Sequence, residues 1–285
     1  MSHRVEPRPA VEVTDALLSG WSLPDPGSSK NSRGRVVVIG GSAVAPGAVM
    51  LSGLAALRVG AGRLSVVVPP ASASTVAAAV PEAGVFELDG RGRLSSEVRQ
   101  EVRTASAVLL GPGLMDFAQT ERLLKEVSAE LAAETPLVLD AFALGVIGKR
   151  RRGPRHGVLL LNPNLDETAR LLGREIENLD SDVAEVAGNF NAVVSSQACV
   201  AAPDGRVWRI RNGGPGLGTS GSGDVLAGAI AGFAARGVDA AEAAVWASQV
   251  HASAGDWLAH RIAPLGFLAR ELCDELAPAL AAIEE

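Results

Sequence analysis

The chain predicts an α/β fold, a three-layer α/β/α sandwich around a mostly parallel sheet. Three observations carry this. Short aliphatic and β-branched runs such as Arg35–Ile39 and Ala107–Leu110 alternate with longer stretches of helical pattern. The runs are apolar throughout rather than alternating, as strands covered by helices on both faces require. Most of them end in glycine or in Asp or Asn, where an open α/β sheet places its ligand crevice.

Residues 1–33 contain Pro7, Pro9, Pro24, Pro26 and Gly27 and read as an N-terminal arm with one short helix near residues 13–18. Residues 34–285 read as a single domain. Its first strand, Arg35–Ile39, runs into Gly40-Gly41-Ser42, and a small-residue helix follows at 48–59. Residues 64–68 form a strand stopped by Pro69-Pro70. Ala107–Leu110 ends in Gly111-Pro112-Gly113 and precedes a helix at 119–133. Leu137–Leu139 ends at Asp140, and residues 157–161 end at Asn162-Pro163-Asn164, before helix Leu165–Leu172. Residues 191–194, 199–202 and 207–210 lie close together, with Pro203-Asp204-Gly205 between the last two. They predict an antiparallel portion near residues 191–210. Helices at 224–236, 240–262 and 265–283 complete the domain.

The formal net charge is −6 over 285 residues, without the basic stripe of a nucleic-acid binder. The one dense basic cluster, Lys149 to Arg152 with Arg155, reads as a solvated loop. No stretch approaches a membrane span, and the N-terminus lacks a signal-peptide core, so a soluble, cytoplasmic protein is expected. Cys199 and Cys273 have no metal-ligand spacing and read as free thiols.

The strongest chemical signal is Asn212-Gly-Gly-Pro-Gly-Leu-Gly-Thr-Ser-Gly-Ser-Gly-Asp224, with six glycines in thirteen residues opening a helix. Such a loop turns backbone N–H groups inward, and the helix adds the positive end of its dipole. Thr219, Ser220, Gly221, Ser222 and Gly223 are the expected phosphate contacts. Asp224, in the first helical turn, is placed to take a proton from a hydroxyl attacking phosphorus; capping alone would also put an aspartate there.

Asn164 and Glu167 share a helical face, so Glu167 could hold hydrated Mg²⁺ through a water; the same spacing builds a capping box. Asp140, at a strand end, could bind a hydroxyl or cap the next turn. His251 lies in an apolar helix and reads as a core or surface residue, and Trp246 and Trp257 read as packing.

In order and spacing, several blocks resemble the ADP-dependent NAD(P)H-hydrate dehydratases, a nicotinamide-nucleotide repair family with the ribokinase-like fold. They are Gly40-Gly-Ser with Gly47-Ala48, Ala56-Leu-Arg-Val-Gly-Ala-Gly62, Leu110-Gly-Pro-Gly113, Val138-Leu-Asp-Ala141 with Leu144, Asn162-Pro-Asn-Leu-Asp-Glu167, Pro203-Asp-Gly205, Thr219 through Gly228, and His251 with Ala254-Gly-Asp256. The resemblance implies restoration of NADH or NADPH from the hydrated ring, using ADP or ATP to activate the ring hydroxyl. It places Ala48, Gly113, Asn164 and Asp224 against the hydrate and Gly223 beside the nucleotide. A homo-oligomer is also expected.

The chain departs from the family pattern at three places. Asn164 stands for a histidine, Phe142 for a second aspartate, and the stretch Val193-Val-Ser-Ser-Gln-Ala-Cys199 has no lysine. Losing a charged contact of that kind weakens a nucleotide by about 1.5–3 kcal/mol, and Arg209 or Arg211 is near enough in sequence to compensate. Two alternatives accompany the dehydratase: a small-molecule kinase of the same fold, and a nucleotide-binding module with weakened catalysis.

Overall fold

The computed structural model describes residues 7–25, 27–150, 154 and 157–284. Arg151, Arg152 and Arg155 of the basic cluster lie outside them. Among the described residues ten strands form one sheet: β1 (Val11–Glu12), β2 (Arg35–Ile39), β3 (Arg63–Val68), β4 (Ala83–Glu87), β5 (Ala107–Leu110), β6 (Leu137–Leu139), β7 (Leu159–Leu161), β8 (Val193–Ser196), β9 (Cys199–Ala201) and β10 (Val207–Arg209). The spatial order is β1-β10-β9-β8-β7-β6-β5-β2-β3-β4. Pairing is parallel except at β8–β9 and β9–β10, which are antiparallel as the sequence predicts.

Both faces are covered. The helices are α1 (Asp15–Ser19), α2 (Gly47–Arg58), α3 (Pro70–Ala79), α4 (Ser96–Arg103), α5 (Phe117–Glu130), α6 (Phe142–Arg150), α7 (Leu165–Leu172), α8 (Leu179–Phe190), α9 (Ser222–Ala235), α10 (Ala240–Arg261) and α11 (Ala269–Glu284). Within β2, Val36 and Val38 join one core with residues of α2, α9, α10 and α11, while Val37 and Ile39 join the other with residues of α4, α5, α6 and α8. The period of two in a strand thus feeds two separate cores, completing the sandwich.

Residues 11–19 are built into this frame. Val11–Glu12 pairs parallel with β10 at the sheet edge, Thr14 caps α1, and Leu18 is fully buried. Trp21 meets Trp208 edge-on at 6.1 Å. Helix α11 starts later than its apolar pattern suggests. Gly266 has a positive φ of 104°, and the Leu268 N–H donates to Glu271 Oε2 at 2.7 Å, so the first turn is set by that contact. Trp246 is buried against Phe233, whereas Trp257 remains 39% exposed. Both cysteines are free and buried, and burial pushes their thiols up, which leaves them unreactive. Among the described residues no helix is long and apolar enough to cross a membrane.

Helices α2 and α9 cross closely because α9 presents Gly228 and Gly232, four residues apart on one face. A Cβ at Gly228 would overlap the Ser52 carbonyl, and one at Gly232 would lie 2.7 Å from the Ala56 carbonyl oxygen. Gly228→Ala should therefore destabilise the protein by about 1–3 kcal/mol, the usual cost of overpacking. Gly188 in α8 is exposed and has nothing within 4 Å of an added Cβ. Gly188→Ala should gain up to about 1 kcal/mol of helix propensity. Denaturant unfolding of both variants checks the pair; equal effects would contradict the close crossing.

Candidate active site

The chain runs from β2 outward to β3 and β4, then returns to place β5 on the other side of β2. The crevice of such a sheet lies at this reversal, beyond the C-terminal strand ends. Gly40 and Gly41 follow β2 there, and Gly111 to Gly113 follow β5. The Gly41 N–H donates to the Pro112 carbonyl at 2.7 Å, and the Gly111 N–H donates to the Ile39 carbonyl at 3.1 Å. A Cβ on Gly40 would overlap the Pro112 carbonyl oxygen, and one on Gly111 the Asp140 carbonyl oxygen. These two glycines are required by loop-to-loop packing. Gly113 has φ +71°, and its Cβ position is 3.2 Å from the Ala48 Cβ, so Gly113 and Ala48 form one floor.

The glycine loop leads into α9, which packs on α2. Pro215–Gly218 forms a short 3-10 turn, with Gly216 so close to Phe267 that no side chain fits. At the loop's start, Asp256 of α10 accepts from the Gly213 N–H at 3.1 Å, and the Asn212 amide donates to Ser253 Oγ. Gly221 caps α9 with φ +91°, and its Cβ would lie 2.6 Å from Leu51 of α2. Ser220 is exposed, Thr219 is half-buried, and Gly223 is exposed with open space where a Cβ would point. The N–H groups of Gly223 and Asp224, in the first turn, have no carbonyl partner within the helix.

Ser222 is buried, and its hydroxyl lies 3.0 Å from His251 Nε2. The sequence reading of His251 as a core residue missed this role, since an apolar helix gives no hint of a partner 29 positions away. Burial holds the His251 imidazole down at about 4, so it is neutral and anchors the loop.

Three carboxylates converge. Asp224 is half-buried, and desolvation raises it to about 6. Asp140 is buried at the end of β6; burial and the nearby charges of Asp224 and Glu167 raise it well above the usual carboxylate range. Burial also raises Glu167. Asn162, at the end of β7, donates to Asp140 Oδ1 at 3.2 Å and to the Gly223 carbonyl at 3.3 Å, tying the strand ends to the glycine loop. Nothing in the sequence alone marks Asn162 for this. Ala141 is held at φ +49°, an uncommon backbone for alanine.

Asn164 and Glu167 form the capping box: the Asn164 N–H donates to Glu167 Oε2, and the Glu167 N–H to Asn164 Oδ1, both at 2.9 Å. The cap uses Oε2 only. Among the described residues no cluster of three or more His, Cys, Asp or Glu is arranged to hold a metal. The lysine-free stretch is occupied by hydroxyls: Ser195 bonds Ser248 at 3.0 Å, and Ser196 bonds Thr168 at 2.8 Å. The two arginines expected to compensate have other partners. Arg211 pairs with Glu12 of β1 at 2.7 Å, and Arg209 pairs with Asp180.

A family model described as NAD(P)H-hydrate dehydratase matches residues 36–278. An ADP-dependent (S)-NAD(P)H-hydrate dehydratase of Xanthomonas campestris is 44% identical over 276 residues, covering 93% of this chain and 94% of its own. The crystal structure of an ADP/ATP-dependent NAD(P)H-hydrate dehydratase from Bacillus subtilis, co-crystallised with ATP/Mg²⁺ and soaked with CoA, superimposes with a TM-score of 0.80. It is 25% identical, with coverage of 95% of this chain and 98% of that one. Arabidopsis thaliana ribokinase, at 14% identity and a TM-score of 0.58, covers 87% of this chain and 98% of its own and shares the fold.

The Ser222–His251 contact gives a pH-dependent prediction. A histidine near 4 when folded and 6.5 when unfolded favours the folded state fully above pH 6.5 and loses that contribution as pH falls towards 4. The loss is about 3 kcal/mol. His251→Asn should be less stable than wild type at pH 7, and the gap should narrow by that order between pH 6.5 and 4 in denaturant unfolding. A gap independent of pH would refute the neutral anchor.

Proposed function

The chain belongs to the NAD(P)H-hydrate dehydratase family, and from that membership we propose that it restores NADH and NADPH from their hydrated forms at the expense of ADP or ATP. The length of the family match and the 44% identity favour this over a vitamin or sugar kinase or a catalytically weakened binding module. The observation that carries the mechanism is Asp224, half-buried in the first turn of α9 with its carboxyl raised to about 6 by desolvation.

On this reading the hydrated ring rests on Ala48 and Gly113, with Asn164 and Asp224 at its polar edge. The nucleotide's terminal phosphate faces Thr219, Ser220, Gly221, Ser222 and Gly223. The ring hydroxyl attacks the terminal phosphorus while Asp224 accepts its proton. The P–O bond to the leaving nucleotide breaks, giving AMP from ADP. The first-turn N–H groups of α9 hold the charge that develops on the transferring oxygens. The new phosphate ester then leaves as phosphate, pushed by the ring nitrogen's electron pair. The adjacent ring carbon loses a proton, and the double bond returns.

Asp224 suits the first step because its carboxyl is raised only to about 6, so it is ionised at neutral pH yet basic enough to take the proton. Burial and the nearby charge of Asp224 also push Asp140 towards its protonated form, which lowers the cost of placing the two carboxyls side by side. Mg²⁺ fits here as a cation held chiefly by nucleotide phosphates and water, which needs only one or two carboxylates from the protein; Glu167 would reach it through water. It would supply charge neutralisation on the phosphates. With Arg209 and Arg211 paired elsewhere, nucleotide binding depends mainly on the loop's backbone N–H groups.

Incubating the protein with hydrated NADH or NADPH, Mg²⁺ and ADP or ATP should restore absorbance at the reduced-nicotinamide band, with one phosphate released per ring. Asp224→Asn should keep the fold and lower turnover by about 10²–10⁴-fold. Gly223→Val, whose side chain points into open space, should fold normally yet lose nucleotide affinity in calorimetry. Near-normal turnover in Asp224→Asn, or unchanged affinity in Gly223→Val, would refute the assigned roles.

A further inference from the structure

A cavity of about 640 Å³ lies beside α6 and is lined by residues of α6 and α7, by Phe117 at the start of α5, and by Leu114 and Ala141 after β5 and β6. Its lining includes Leu114, next to Gly113 of the proposed hydrate site, Ala141, next to Asp140, and Glu167. Lys149 and Arg170 also line it, with Phe117 and Phe142. No residue of the glycine loop lines it. Phe142 is 36% exposed despite its size, and the Lys149 ammonium sits 4.6 Å from the Phe117 ring centre. Helix α6 rises about 1.5 Å per residue, so Lys149 stands roughly 10 Å along the helix from Phe142. A volume of this size suits half a dinucleotide better than a lone ring. Aromatic faces beside cations match a purine attached to phosphate.

Resting on the dehydratase reading, we propose that this cavity seats the adenosine half of the hydrated dinucleotide. The purine lies against Phe142 and Phe117, and Lys149 and Arg170 contact its phosphates. Leu114, the neighbour of Gly113, lines the cavity and none of residues 219–223 does, which favours the substrate over the nucleotide co-substrate as its occupant. The phosphate so held is either the pyrophosphate, present in both substrates, or the ribose phosphate found only in the NADP form.

The test compares Lys149→Ala, Arg170→Ala and Phe142→Ala with wild type on three substrates: hydrated NADH, hydrated NADPH and the hydrated reduced nicotinamide mononucleotide, which lacks adenosine. Each variant should raise KM for the dinucleotides by about tenfold, with kcat nearly unchanged. The variants should act on the mononucleotide as wild type does. An equal effect of the cation variants on both dinucleotides identifies the pyrophosphate as the contact, and a larger effect on the NADPH hydrate identifies the ribose phosphate. Unchanged KM for both dinucleotides overturns the proposal, as does an equal loss on the mononucleotide or a raised KM for ADP alone. Calorimetric titration of NADP⁺ and of nicotinamide mononucleotide tests the cavity without turnover. Loss of NADP⁺ affinity in the variants supports the seat even if the dehydratase reading fails, and unchanged NADP⁺ affinity counts against the seat even if that reading stands.

Discussion

The close crossing of α2 and α9 fixes the geometry on which the site depends. With Gly228 against the Ser52 carbonyl and Gly232 against Ala56, the two helices approach nearer than side chains would allow. Their N-terminal ends are thereby brought together. One end carries Gly47 and Ala48; the other carries Ser222, Gly223 and Asp224. Gly221, in a left-handed backbone that glycine adopts freely and with no room for a side chain against Leu51 of α2, is the junction of the two. The sheet supplies the opposite wall, because the reversal at β2 and β5 leaves two glycine loops interlocked by hydrogen bonds at the same level.

Onto this frame the protein places carboxylates that are costly to ionise. Asp224, Asp140 and Glu167 are all raised chiefly by burial. Unlike the ion pairs elsewhere on the chain, such as Arg174 with Asp182 and Glu185, Asp140 and Asp224 are shifted towards the protonated form. Asn162 and His251 stabilise the arrangement from behind, one joining Asp140 to Gly223 and the other holding Ser222. Strain at Ala141 fits the same pattern, since uncommon backbone conformations persist where the surroundings over-determine them.

Much of the fold was legible because its central strands are continuous apolar runs that end in glycine, aspartate or asparagine. The antiparallel β8–β10 segment was legible from its short spacing and its Pro203-Asp204-Gly205 turn. Strand β4 was not, because Ala83–Glu87 is a half-exposed edge strand containing Gly84. The two-residue β1 owes its existence to pairing with Trp208 and Arg209, distant in sequence. Within the site, Asp224 and the glycine loop stood out by local pattern. Gly40 and Gly111 stood out as strand-end glycines, but the backbone carbonyls that require them are brought close only by folding. Asn162 and His251 acquire their roles only through partners brought near by folding, and the ion pair of Arg211 with Glu12 depends on the edge strand in the same way.

The central claim is that Asp224 acts as the base, with a basicity set by its partial burial at the end of α9. The pH dependence of kcat/KM for the hydrate, at saturating ADP, tests it most directly. The account predicts a rate that rises tenfold per pH unit below about 6 and levels off above it, as a single carboxylate loses its proton. A rate independent of pH from 5 to 7 would contradict it.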